Sequence, residues 1–120
     1  MLSKLHRLRK TQDFLTVYQR GYRRNSADLS LRVYRRPHAQ DAVSPTRIGI
    51  SISQKVSKRA VVRNRLKRQL RAACSQLLPQ IKPGQDIVLV VRSTALQCSY
   101  QQFLQQLKQL FTQAEILHGH

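Results

Sequence analysis

Residues 47–77 read RIGISISQKVSKRAVVRNRLKRQLRAACSQL, and within them the spacing of the apolar residues changes once. Ile48, Ile50 and Ile52 alternate with Arg47, Gly49, Ser51 and Ser53. That is the period of a strand with one buried face. From Val62 the apolar residues recur at three- and four-residue steps, as Val62, Leu66, Leu70, Ala73 and Leu77. Such steps line one side of a helix. No Gly or Pro interrupts between Lys55 and Pro79. The spacing therefore predicts a strand, a turn through Lys55–Arg59 and a long helix. The polar side of the strand is small, so Gly49 and the serines leave room for a ligand or another backbone to approach.

The remaining surface of that helix is cationic. Eight of the chain's 22 Lys and Arg lie between Lys55 and Arg71, with no Asp or Glu among them. At about 100° per residue, Arg63, Lys67 and Arg71 form a row beside the apolar stripe, and Asn64, Arg65 and Arg68 cover the far side. Like charges at i and i+4 destabilise an isolated helix by about 0.2–0.5 kcal/mol per pair. A face of one sign is sustained where a polyanion supplies the counter-charge. It reads as a nucleic-acid surface rather than an idle solvated face.

Toward the C-terminus, Pro79–Gln85 reads as a turn, and Ile87–Val91 is a short continuous apolar run, the pattern of a central strand buried on both faces. A helical crossover joins it to the Ile48 strand, so the two are expected to be parallel. Ser99 with Gln102 is a capping-box pattern opening a strongly amphipathic helix through Tyr100, Phe103, Leu104, Leu107, Leu110, Phe111 and Ala114. Its polar face is nearly all Gln, which suits scaffold. Toward the N-terminus, residues 1–10 form a basic arm with Leu2, Leu5 and Leu8 able to lie on the fold. Thr11 is a candidate N-cap for a first helix that ends at Gly21, and Asp13 suits the helix's positive end. Phe14 and Tyr18 share a face of that helix, and by spacing alone they are core aromatics. Leu29, Leu31 and Val33 alternate with Ser30, Arg32 and Tyr34, a half-buried strand that puts a cation beside an aromatic on one face. Tyr22–Ser26 can supply a further short strand. Residues 35–46, with Pro37 and Pro45, read as a loop, and 115–120 as a frayed tail.

The expected architecture is thus α+β: one domain over 1–120, a small mixed sheet sandwiched with three helices in the order α-β-β-β-α-β-α. Net charge is +17, from 22 Lys and Arg against 5 Asp and Glu. That draws the chain to phosphate backbones. Two distant cysteines, Cys74 and Cys98, make no disulfide framework, so the cytoplasm is the expected compartment. The longest apolar run is far too short to span a bilayer, so no membrane partner is expected. No catalytic constellation, phosphate loop or metal cluster appears, and the few acids are not paired with each other or with a His. A two-metal nuclease would need clustered carboxylates.

Arg47–Ala73 resembles the protein component of bacterial ribonuclease P. That family carries a strand of the form R-x-G-x-S-x-S-K-K-V and a helix with A-V-x-R-N-R-x-K-R-x-x-R. Here the helix core is Ala60-Val61-Val62-Arg63-Asn64-Arg65-Leu66-Lys67-Arg68, completed by Arg71. HRLRKTQDF, DIVLVVR and SYQQF extend the likeness to nearly the whole chain. The resemblance implies a subunit that joins a catalytic RNA, one protein per RNA, to remove the 5′ leader of precursor tRNA, with Mg2+ held mainly by the RNA. It implies that Arg59, Arg63, Asn64, Arg65, Lys67, Arg68 and Arg71 bear on the catalytic RNA. It also implies that Phe14, Tyr18, Arg32, Tyr34, Ser51 and Lys55 lie along a cleft for the leader, with no catalytic or metal-ligating residue in the protein. That makes Phe14 and Tyr18 cleft aromatics. Two positions depart from the family: Gln54 replaces a usual Lys, and Arg32 stands where relatives often have an aromatic. The family has a left-handed crossover between its parallel strands, whereas general topology favours the right-handed one. The alternative reading is a non-catalytic RNA-binding protein of the ribosomal kind.

Overall fold

The computed structural model describes residues 2–37 and 44–118. Helix α1 (Thr11–Arg20) is followed by strands β1 (Tyr22–Asn25), β2 (Leu29–Arg35) and β3 (Arg47–Ser51), helix α2 (Ala60–Leu77), strand β4 (Gln85–Val91) and helix α3 (Tyr100–Gln113). The four strands form one sheet in the order β1-β2-β4-β3. β1 and β2 pair antiparallel, as do β2 and β4, while β3 and β4 are parallel. The expected three helices and mixed sheet are present, including the short β1.

Strand alternation assigns the two sheet faces. Leu29, Leu31 and Val33 of β2, Ile48 of β3 and Ile87, Leu89 and Val91 of β4 are buried with the apolar sides of α2 and α3. Leu66, Leu70, Ala73, Cys74 and Leu77 of α2 are all buried there, so the stripe read from the sequence is the packing face. The other face is covered in part by α1, where Leu8, Val17 and Val88 form a second small core. β4 is hydrophobic nearly throughout because it is an inner strand of the sheet, with Ile87, Leu89 and Val91 in the main core and Val88 in the small core under α1. The capping box of α3 forms as expected: Gln102 N–H donates to Ser99 Oγ (3.2 Å), and Ser99 N–H donates to Gln102 Oε1 (2.8 Å).

Three boundaries differ from the sequence reading. Thr11 is the first residue of α1 rather than its N-cap; Lys10 holds that position and makes no side-chain cap. After a 3-10 turn at Lys4–His6 the arm runs extended along the β3 edge, where Arg7 bridges Ile48 and Leu8 N–H donates to the Ile48 carbonyl (3.0 Å). Residues 35–46 are not a loop throughout. Arg35 ends β2, Arg36 is tied to Asp86, and the Thr46 hydroxyl donates to the Lys82 carbonyl (2.6 Å); 38–43 lie outside the described residues. The expected fraying from 115 does not hold for the described part of the tail. Ile116 and Leu117 are buried, Leu117 bridges Ile81, and His118 N–H donates to the Gln80 carbonyl (2.8 Å). Those two apolar residues close the end of the core beside α3, which outweighs the chain entropy of a short tail.

Candidate nucleic-acid interface

Packing one side of α2 fixes what the other side presents. Asn64, Arg65 and Arg68 are exposed, and Arg63, Lys67 and Arg71 are half-buried along the border. Arg63 is held in place by donating to the Ser57 carbonyl (2.8 Å). The first turn of α2 has no acid and its N-cap, Arg59, makes no side-chain cap, so the positive end of the helix dipole adds to the same field. Burial, and after it the charge of Arg7 on the arm, lowers the Arg71 pKa. The guanidinium stays charged regardless, and its neighbour shows that the basic arm and basic helix come together. Among the described residues, ion pairs engage only Arg36 and Arg47. The cations of α2 have no carboxylate partner among the described residues.

The α1 side of the sheet carries the second set of residues. Strand register arranges it in rows across the strands. Arg23, Arg32, Val88 and Gly49 make one row, and Asn25, Ser30, Val90 and Ser51 make the next. α1 crosses the first row. A Cβ at Gly49 would collide with the Phe14 ring and crowd Leu8, Val17 is buried against Val88, and the Arg32 guanidinium lies 4.9 Å from the Tyr18 ring centroid. The second row is not covered by α1 in this way, and Ser51 and Val90 remain half-buried. This strip is the candidate cleft, with Phe14, Tyr18 and Arg32 along its wall and the second row, in which Ser30 is buried, as its floor. Arg32 Nε is buried and has no hydrogen-bond partner among the described residues. Lys55 is exposed in the turn that follows β3. Tyr34 shares the sheet face but lies in a third row with Asp86 and Arg47, on the other side of Arg32 from the floor.

That third row holds a carboxylate cluster turned inward. Asp86 accepts from Arg47 Nε (2.9 Å) and Nη2 (2.7 Å) and also from Arg36, while Arg47 reaches Asp13 on α1 (3.3 Å). Asp28 accepts from the Cys98 thiol (3.0 Å) and Gln106 Nε2 (2.6 Å). Bonds from Cys98, Thr94 and Gln106 hold its carboxyl below the usual range. Asp13, Asp28 and Asp86 thus act as internal counter-ions and anchors. Among the described residues no three His, Cys, Asp or Glu converge as a metal site. Burial pushes the Cys74 thiol up to about 12, and burial followed by the Asp28 carboxylate pushes Cys98 up to about 11, so neither is an activated nucleophile.

The structure brings Phe14, Tyr18 and Arg32 together, sets Ser51 in the neighbouring row and Lys55 past the β3 end, and packs Tyr34 one row further on against the same small core as Phe14 and Tyr18. It gathers the α2 cations on another surface. Asn25, Ser30, Val90 and Arg23 were not read from the sequence as site residues. Only the register of β1 and β4 against β2 puts them there, and a run such as IVLVV carries no sign of which member faces a cleft.

A basic surface helix, an aromatic-walled cleft and carboxylates used internally define the class: a small α+β RNA-binding protein. A family model described as ribonuclease P matches residues 2–115. The chain is 60% identical to the ribonuclease P protein component of a Cyanothece strain, over the whole of both chains, and 52% identical to that of a Picosynechococcus strain, over 99% of this chain and 98% of the other. Among solved structures, a Staphylococcus aureus ribonuclease P protein mutant with defective mRNA degradation activity superposes with a TM-score of 0.83, covering 95% of this chain and 92% of the other at 24% identity. The Thermotoga maritima protein, in complex with 1-(4-fluorophenyl)-2-thiourea, gives 0.75, covering 87% of this chain and 95% of the other at 24% identity. The chain belongs to the ribonuclease P protein component family. It is therefore a subunit of a ribonucleoprotein endoribonuclease of tRNA processing, with an RNA as its partner.

Proposed function

We propose that α2 is the surface that joins the catalytic ribonuclease P RNA, through Arg59, Arg63, Asn64, Arg65, Lys67, Arg68 and Arg71, one protein per RNA. The cleft under α1 receives the single-stranded 5′ leader of precursor tRNA. In it Phe14 and Tyr18 offer ring faces to bases, Arg32 and Lys55 meet phosphates, and Ser51 supplies a hydroxyl on the floor. Tyr34 supports the far side of the cleft wall. The observation that carries this reading is the unneutralised cationic face of α2, set apart from an uncovered strip of sheet beside two aromatic rings. A protein with one such surface could clamp an RNA; two allow it to hold an enzyme RNA and a substrate strand together.

Among the described residues no cluster of acids fits a magnesium site: Asp13 and Asp86 are neutralised by arginines and Asp28 is bonded to a thiol and an amide. Mg2+ is in this reading held mainly by the RNA, and the protein's part is to bind, orient and screen charge in the cytoplasm. The test is cleavage of precursor tRNA at low Mg2+ by the catalytic RNA from the same source, with and without the protein, and by protein alone. Stimulation only when the RNA is present supports the reading. Salt-sensitive RNA binding without stimulation would favour a ribosomal-type binding protein instead, and cleavage by protein alone would overturn the assignment of the chemistry to the RNA.

A further inference from the structure

The cleft floor runs across the strands, from Ser51 on β3 through Val90 and Ser30 to Asn25 on β1. At the usual strand spacing of about 4.8 Å, that span is about 14 Å, room for a few nucleotides only. Its β3 end adjoins Lys55 and the start of α2. Its other end opens onto β1, the outer strand of the sheet, whose four residues Tyr22, Arg23, Arg24 and Asn25 are all exposed.

The β1 edge is not a neutral boundary. Arg23 faces the cleft side, directly opposite Arg32. Alternation places Tyr22 and Arg24 on the other side, so cations straddle the edge. There, Tyr22, Arg24 and Arg35, with Ala114 and Glu115, line a hollow of about 320 Å3. The Tyr22 hydroxyl donates to the Ala114 carbonyl at the end of α3 (2.7 Å), which fixes the ring, and the Arg24 guanidinium sits 5.1 Å from the ring centroid. Arg23, Arg24 and Arg35 enter no ion pair with a carboxylate among the described residues. A fixed aromatic ring with guanidinium groups around it is the chemistry that holds single-stranded nucleic acid.

We propose that the β1 edge is a distal subsite for single-stranded RNA, taking the leader nucleotides upstream of those in the cleft as they leave past Arg23 and turn round the edge onto Arg24 and Arg35. The inference rests on the leader reading of the cleft. Its occupant follows from continuity: a strand crossing the floor away from α2 arrives at β1, and the exposed arginines there carry the charge it needs.

The experiment uses the holoenzyme assembled from the catalytic RNA and the full chain. Its affinity for precursor tRNA is measured with leaders of increasing length, for the wild type and for Arg24→Gln/Arg35→Gln. Both positions are exposed, and neither side chain packs in the core. Tyr22 is left intact because its hydroxyl ties β1 to α3. The wild type is expected to gain affinity in two stages, first as the leader fills the cleft and again as it reaches the edge. The double variant keeps the first gain and loses the second, and its salt slope on the long leader falls by about 1.4, for two single-strand phosphate contacts. An unchanged second gain in the variant, or none in the wild type, overturns the subsite while leaving the cleft standing. An equal loss on leaderless tRNA would show that the edge meets another part of the complex. No dependence on leader at any length would overturn the cleft reading together with the subsite.

Discussion

Gly49 allows the first helix to lie where it does. The Phe14 ring occupies the space a Cβ would take, with Leu8 beside it. Gly49→Ala must push the ring, and α1 with it, off the sheet. A loss of about 1–3 kcal/mol is expected from overpacking, read by urea unfolding, together with weaker binding of leader-bearing substrate. Unchanged stability and leader affinity would mean that Phe14 is not held against the sheet. Arg32 has a different role, since its guanidinium stacks on Tyr18 while its Nε has no hydrogen-bond partner among the described residues. Arg32→Tyr, which puts an aromatic where relatives often carry one, should exchange a charge contact for stacking. The salt slope of leader-dependent affinity is then expected to fall by about 0.7, and an identical slope would show that Arg32 does not meet phosphate. Asp28 gives a pH signature. Its carboxyl is held below the usual value by bonds from Cys98, Thr94 and Gln106. The stabilisation is therefore present above the unfolded pKa of about 3.9 and lost as pH falls through the lower folded value. Asp28→Asn should flatten the thermal-stability profile in that acid window, while a profile of unchanged steepness would show that other groups set it.

At the level of elements, α2 separates folding from binding by face. Its buried stripe supports the core, and its exposed residues form no ion pair with a carboxylate among the described residues. Arg65→Ala/Arg68→Ala should therefore leave unfolding free energy within about 0.5 kcal/mol of the wild type, while RNA affinity drops and the salt slope falls by about 0.9 per lost duplex phosphate contact. Filter binding across a salt series, with circular dichroism as the folding control, checks both halves. Unchanged affinity and slope would remove α2 from the interface. α3 has the opposite character. Its glutamines face solvent except Gln106, which accepts from the Ser26 hydroxyl (2.6 Å) and the Asp28 N–H (3.2 Å) and so pins the β1–β2 turn. That pin keeps β1 in register, and with it the floor of the cleft.

The whole molecule carries +17 with few acids, and the ion pairs among its described residues gather about Asp86. Two cationic surfaces, α2 with the arm and the β1 edge, lie at opposite ends of the sheet order, so repulsion acts across the fold as well as along it. Melting temperature should rise with ionic strength, since screening relieves that repulsion. A melting temperature that falls or stays flat between low and physiological salt would show that the charges are compensated within the fold. The same field that weakens the free protein steers it to RNA, so the assembled particle is expected to be the more stable form.

The strand and helix periods, the α2 stripe, the parallel β3–β4 pair and the α3 capping box were all legible in the sequence, because each depends on residues near one another in the chain and on burying one face. The cation row was legible for the same reason, since α2 fixes both of its sides at once. The cleft residues Phe14 and Tyr18 were not legible as such from their spacing. An aromatic pair at i and i+4 looks the same whether it fills a core or walls a groove, and the difference lies in Gly49 and Arg32, which come from other strands. Nor could local sequence show that Ile116 and Leu117 seal the core, that Asp86 gathers Arg36 and Arg47, or that Arg23 stands opposite Arg32. The sequence by itself determined the elements, their faces and the excess of positive charge. Tertiary structure alone decided which strip of sheet α1 leaves open and where that strip ends, because strand register is a long-range property set by how the faces pack.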